Sequence, residues 1–152
     1  MLEPAKFREI VMNAPLVAID LVVRNFAQEV LVGFRKNGPA KNTWFVPGGR
    51  IWKDERISAA FRRITIDELG IPFAIETARF MGVYEHFHKG NFADEPGFGT
   101  HYIVLAYEIK SFPGLTDLPL AQHSDYRWLS EQSLLEDEKV HRYTKDYFRN
   151  QD

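Results

Sequence analysis

A pair of glycines opens the stretch that most narrows what this chain can fold into. Trp44-Phe45-Val46 reads as a short strand and ends at Pro47-Gly48-Gly49. The period then changes. Ile57, Phe61 and Ile64 recur at helical spacing, from a start near Asp54 as N-cap to a stop at Gly70. A strand, a Gly-Gly loop and a helix thus follow one another, and the helix bears Glu55, Arg63, Asp67 and Glu68 in and around it. Glycine has no Cβ, so such a loop can approach a ligand closely. Its carbonyls, with carboxylates from the helix, suit a hard cation with oxygen ligands, and Mg²⁺ there would bridge to a diphosphate.

The remaining periodicity predicts a short helix over Pro4 to Met12 and strands over 16–23, 30–34, 77–87, 101–109 and 126–129. Ser130 is predicted to cap a short helix, and Val140 to Asn150 to form the last one. Mixed strands around one central helix, with helices toward the end, give an α/β fold built as an α/β/α sandwich. The 152 residues suit one domain spanning 1–152. With no Cys, a disulfide scaffold, a cysteine-ligated zinc site and a thiol nucleophile are excluded. A net charge of −2 argues against nucleic acid or a membrane surface as partner. No apolar run approaches the roughly 20 residues that span a bilayer. The expectation is a cytoplasmic protein.

The segment from Gly49 resembles the Nudix box. Five residues separate Gly49 from Glu55 and seven separate Glu55 from Arg63, and Glu68, Gly70 and Ile71 close the pattern at the right spacing. The box departs at three places. Ile64 stands where the family has a Glu after the Arg, Asp67 replaces the first of a Glu pair, and Thr65 replaces an aliphatic residue. Ile64 can neither bind a metal nor take a proton, and it shares the apolar stripe of Ile57 and Phe61. One main metal ion is therefore expected, with Asp67 read either as a shorter reach to a second ion or as a solvated residue of the last turn. The fold implied is the Nudix-type α/β/α sandwich with a mixed sheet.

The chain also resembles the GDP-mannose mannosyl hydrolases, a Nudix subfamily lacking the same carboxylates. The shared texture runs through Pro15-Leu16-Val17, Trp44 to Ile51, Lys53-Asp54-Glu55, Ala59-Ala60-Phe61, Thr100-His101-Tyr102 and Gln122 to Leu129. The resemblance implies a metal site of the Gly49 carbonyl, the Glu68 carboxylate and the Gln122 amide, holding Mg²⁺ with Mn²⁺ as an alternative. It implies His123 as general base, a role that suits an imidazole titrating near neutral pH. Arg35 and Arg50 would hold the diphosphate, since guanidinium forks match phosphate oxygens, and Arg63 would orient carboxylates or charge. Asp20 and Tyr102 match positions on the sugar and leaving-group side. Met1, Leu2 and Phe7 match positions of a nucleotide pocket shared across a homodimer. The activity implied is hydrolysis of GDP-mannose or GDP-glucose, with water attacking sugar C1 and GDP leaving.

Two other activities compete. A conventional Nudix pyrophosphatase would cleave at phosphorus to give GMP and sugar 1-phosphate, and a non-catalytic sensor would only bind nucleotide sugars. Individual residues have plainer readings too. Asp20 either points outward from its apolar strand or pairs with an arginine, because an unpaired buried carboxylate is costly. His86 and His88 are balanced between a sugar site and the surface. Phe80, Tyr84 and Phe87 read as core and strand face, Trp44 and Trp128 as core, and His101 and His141 as structural or exposed.

Overall fold

The structure, a computed structural model, describes residues 2–110, 118–119 and 123–149. Met1 and Gln122, both expected at the site, lie outside them. Strand β1 (Leu16–Arg24) is the spine of a mixed seven-stranded sheet. It runs parallel to β6 (Thr100–Lys110), from Leu16 opposite Tyr102 to Arg24 opposite Lys110. Its other edge meets β2 (Val30–Arg35) at Arg24 and β4 (Gly48–Arg50) at Ala18 to Asp20. Strand β2 also pairs with β3 (Trp44–Phe45) and β7 (His123–Leu129), and β5 (Arg79–His88) pairs with β6.

Two apolar layers cover this sheet. Ile19, Leu21 and Val23 of β1 pack against Ala60, Phe61, Ile64 and Leu69 of α2 (Ile57–Leu69). On the opposite face Val22 joins Leu134 of α3 (Glu131–Glu136) and Tyr143 of α4 (Arg142–Asp146), with Tyr147 just beyond. The period-two alternation of a strand therefore places Asp20 and Ala18 on the α4 side and Ile19 on the α2 side. The α/β/α sandwich is present, with α1 (Pro4–Asn13) beside it.

Several local expectations are corrected. Gly48-Gly49-Arg50 is a strand rather than a loop, because β1 supplies a ladder partner that short-range propensity does not reveal. Helix α2 starts two residues late, with Arg56 at the N-cap position. Asp54 instead sits in a left-handed turn at φ 65°, while Glu55 folds back to accept the Trp52 amide at 3.0 Å. Ile57 is 45% exposed and so lies off the core stripe. Phe80 and Phe87 face outward on the edge strand, 50% and 55% exposed, rather than into a core. The final helix is short, because residues around Val140 lie along Trp44: Trp44 N–H donates to Lys139 O at 2.8 Å and His141 N–H to Trp44 O at 2.9 Å. The expected terminators hold. Gly70 closes α2 at φ 82°, and the Ser130 hydroxyl accepts the Ser133 amide.

Candidate active site

A cleft opens where β1, β4, β5 and β6 converge. Ala18, Asp20, Arg35, Gly49, Arg50 and Tyr102 line it, together with His86 and His88. Five of the expected site residues therefore meet in one place, delivered from strands far apart in sequence. Asp20 is only 7% exposed. Its Oδ2 accepts the Tyr147 hydroxyl at 2.5 Å. Burial pushes the Asp20 carboxyl up to about 7, while the Tyr147 bond and the nearby Arg35 charge work the other way. Tyr102 is also raised, chiefly by burial. The Arg35 side chain donates to Pro39 O at 3.1 Å, which steadies it at the cleft wall. The Arg50 guanidinium stands 4.9 Å from the centre of the Phe7 ring, within cation–π range.

The loop leading to α2 is braced from below. Arg63 donates to both Glu55 oxygens, at 2.8 and 2.9 Å, and to Arg50 O at 2.8 Å, and it lies 3.7 Å over the Trp52 ring. It thus shapes the backbone that carries Arg50 and faces no cleft atom itself. The paired charge holds the Glu55 carboxyl below its usual range. Asp67 is mostly exposed and reaches Arg63 at 3.6 Å. Ile64, 1% exposed, packs directly under Gly49: a Cβ added there would stand 3.0 Å from its side chain.

Glu68 faces Gly48 from the α2 side, as Asp20 does from β1. It is 6% exposed, and its Oε1 accepts the Gly48 amide at 3.1 Å. A buried carboxylate with one neutral donor among the described residues is a group that suits a cation. Among the described residues no three His, Asp or Glu side chains gather as a metal cluster. Glu68 and the Gly49 carbonyl are oxygen groups here that could hold a cation, and the expected amide ligand, Gln122, lies outside the described residues.

His123 lies beside this carboxylate rather than in the open cleft. Its Nε2 is 3.9 Å from Glu68 Oε1, the ring is fully buried, and neither ring nitrogen has a hydrogen-bond partner among the described residues. Gly33 makes room for it, since a Cβ at Gly33 would stand 2.4 Å from the ring.

Sequence reasoning left His86 and His88 undecided, and the structure places both on the cleft wall. His86 is 3% exposed, stacked on Tyr143 at 4.3 Å with nearly parallel rings. Burial, reinforced by neighbouring His141, holds His86 down at about 4 and His88 at about 3. Both are neutral imidazoles at ordinary pH, suited to hydrogen bonding with uncharged hydroxyls. Their alternation along β5 was the available signal, but a two-sided edge strand gives no way to choose the buried face. At the N-terminus Phe7 packs on Arg50 of its own chain and on Phe92, and Leu2 is exposed.

The comparisons agree with this architecture. Over 105 residues, 68% of this chain, the sequence is 41% identical to the low-salt glycan biosynthesis protein Agl8 of Haloferax volcanii, and the match spans 64% of Agl8. The MutT protein of Methanosarcina mazei superposes with a TM-score of 0.70 at 20% identity, covering 90% of this chain and 93% of that one. The NUDIX domain of Shewanella oneidensis NrtR, solved with ADP ribose, superposes with a TM-score of 0.64 at 19% identity, covering 97% of both chains. Likeness at these identities speaks for the fold alone. The NUDIX domain family itself matches residues 14–150, nearly the whole length, and the chain belongs to that family.

Proposed function

We propose that the chain hydrolyses a GDP-hexose, GDP-mannose or GDP-glucose, at sugar C1 to give GDP and the free sugar. The observation that carries this reading is the replacement of a box carboxylate by Ile64, buried under Gly49, in a cleft that keeps its arginines. Attack at phosphorus in a Nudix site draws on several carboxylates to hold ions and activate water. Here Glu68 faces the loop, Asp67 is turned to Arg63, and Glu55 is consumed by Arg63. Substitution at carbon needs less. GDP is a good leaving group once its charge is matched, and no acid has to protonate it. The glycan-biosynthesis name of the Agl8 relative supports a sugar-linked substrate.

The residues divide the work. Arg35 and Arg50 bind the diphosphate oxygens and take up the negative charge that develops as GDP departs. Asp20, Tyr102, His86 and His88 surround the sugar and orient it. The water oxygen bonds to C1 while the C1–oxygen bond breaks, and the electron pair leaves with GDP. The proton lost by that water goes to His123, whose buried ring beside Glu68 must come within reach of the cleft for this step. Glu68, the Gly49 carbonyl and Gln122 would hold Mg²⁺ or Mn²⁺. When bound, the ion supplies charge neutralisation at the diphosphate. Inversion at C1 would release the β-sugar, and a homodimer would let Leu2 and Met1 complete the nucleotide pocket.

Hydrolysis in ¹⁸O-labelled water tests the bond broken. The label enters the sugar if C1 is attacked and enters a phosphate if phosphorus is. A second reading, a nucleotide-sugar sensor, is favoured by one observation: the proposed base is fully buried. Tight binding of GDP-mannose without either label transfer would select it.

A further inference from the structure

Helix α4 touches no part of the cleft surface, yet its Tyr143 and its C-cap residue Tyr147 stand behind the two cleft residues least comfortable in a buried site. Tyr147 is 6% exposed, and its hydroxyl sits between Asp20 and His86: 2.5 Å from Asp20 Oδ2 and 3.4 Å from His86 Nε2. The other face of the arrangement is equally tight. Tyr143 stacks on His86, and its hydroxyl donates to Phe87 O at 3.0 Å and accepts the Phe87 amide at 2.9 Å, which pins β5 beside it. Asp20 Oδ1 lies where a Cβ on Gly48 would stand, 2.4 Å away. The carboxylate is therefore gripped at one oxygen by Tyr147 while its other oxygen lies against Gly48 of β4.

From this geometry we infer that Tyr147 is a positioning residue, which fixes the Asp20 carboxyl and the His86 ring against the reacting sugar. A buried carboxylate without such a donor would rotate toward Arg35 or swing out to water, because its desolvation would otherwise go uncompensated. A 2.5 Å bond from a phenol removes that freedom. The burial that raises both partners makes the tyrosine a donor throughout the working pH range, since its own hydroxyl is held well above its ordinary value. Rigid placement matters most for groups that meet the substrate only in the transition state, so loss of the hydroxyl should lower kcat more than it changes nucleotide binding. The inference rests on the proposed reading of the cleft as a sugar site.

The test is a double-mutant cycle on GDP-mannose hydrolysis with Tyr147→Phe, Asp20→Asn and the pair. Thermal melts check folding, and GDP binding serves as a control. Tyr147→Phe should lower kcat at least tenfold and leave the Kd for GDP within about twofold. Added to Asp20→Asn, it should cost little more, because the two groups act as one unit. Unchanged kcat in folded Tyr147→Phe, or losses that multiply in the pair, would overturn the assignment. The conservative phenylalanine keeps the ring packed on Tyr84. If the wild-type protein does not hydrolyse GDP-mannose at all, the functional reading fails separately. The grip of Tyr147 on Asp20 is then read by itself from the ¹³C shift of the Asp20 carboxyl at a fixed pH: displacement in Tyr147→Phe sustains that grip, and an unmoved signal rejects it.

Discussion

Arg63 clasps Glu55 with two hydrogen bonds while its guanidinium lies flat on Trp52, 3.7 Å from the ring centre. A signature arginine of the box is here a brace for the loop that presents Arg50. Arg63→Ala should cost about 2 kcal/mol, the scale of a partly buried charge-assisted pair, and lower Tm by roughly 4–8 °C. The Glu55 carboxyl is depressed by this pair, so its contribution is present above its ordinary value near 4.5 and is lost as pH falls below it. The gap between the melts of wild type and Arg63→Ala should therefore narrow under acid conditions, leaving the part due to Arg50 O and Trp52. A constant gap down to pH 3 would contradict the brace.

Asp20 has the opposite sign. Its carboxyl is raised to about 7 by burial, so the folded state holds a proton that the unfolded chain has already released. Its contribution to stability is fullest below pH 4 and diminishes as pH rises toward 7. The groups facing it are Arg35 from β2, Tyr147 after α4, Glu68 from α2, Tyr102 from β6 and His86 from β5. Asp20→Asn should remove this pH dependence, making the difference in Tm between pH 5 and pH 8 smaller than in wild type. An unchanged difference would show that the proton resides elsewhere.

Gly33 faces the His123 ring at a separation no side chain can tolerate. Gly33→Ala must displace the imidazole or bend β2, at about 1–3 kcal/mol by analogy with overpacked cores. Because the ring sits 3.9 Å from Glu68, turnover should fall more than stability alone explains. Full activity in a folded Gly33→Ala protein would argue that the ring position is immaterial.

Ile64→Glu restores the family carboxylate in a buried place beneath Gly49. The new charge enters the apolar cluster of Phe61 and Leu69, so Tm without metal should drop by at least about 5 °C, a few kcal/mol for a domain of this size. Mg²⁺ should recover part of the loss, and should raise Tm more than it does for wild type. A variant as stable as wild type without metal would mean that the pocket under Gly49 is wetter than the packing indicates.

The parts of this fold that could be read in advance are those written at short range. Arg63 and Glu68 hold their spacing on α2, with Gly70 as its cap and Gly49 and Glu55 in the short strand and turn just before it, so the box and α2 are visible in the string. Strand β4 is not visible, since Gly48-Gly49 has little strand propensity and becomes a strand only when β1 offers a ladder. Asp20 could be flagged as an awkward carboxylate but not assigned a face, because its partner Tyr147 lies 127 residues away. The outward phenylalanines of β5 and the inward His86 follow from which strand ends up at the edge, a property of topology rather than of local sequence.

The central claim is that water attacks carbon. It is tested most directly by incubating the protein with GDP-mannose and Mg²⁺ and following both products by NMR before the sugar mutarotates. The account predicts GDP in the phosphorus spectrum and β-mannose in the proton spectrum. GMP with mannose 1-phosphate would contradict it and return Glu55 and Asp67 to the centre of the chemistry.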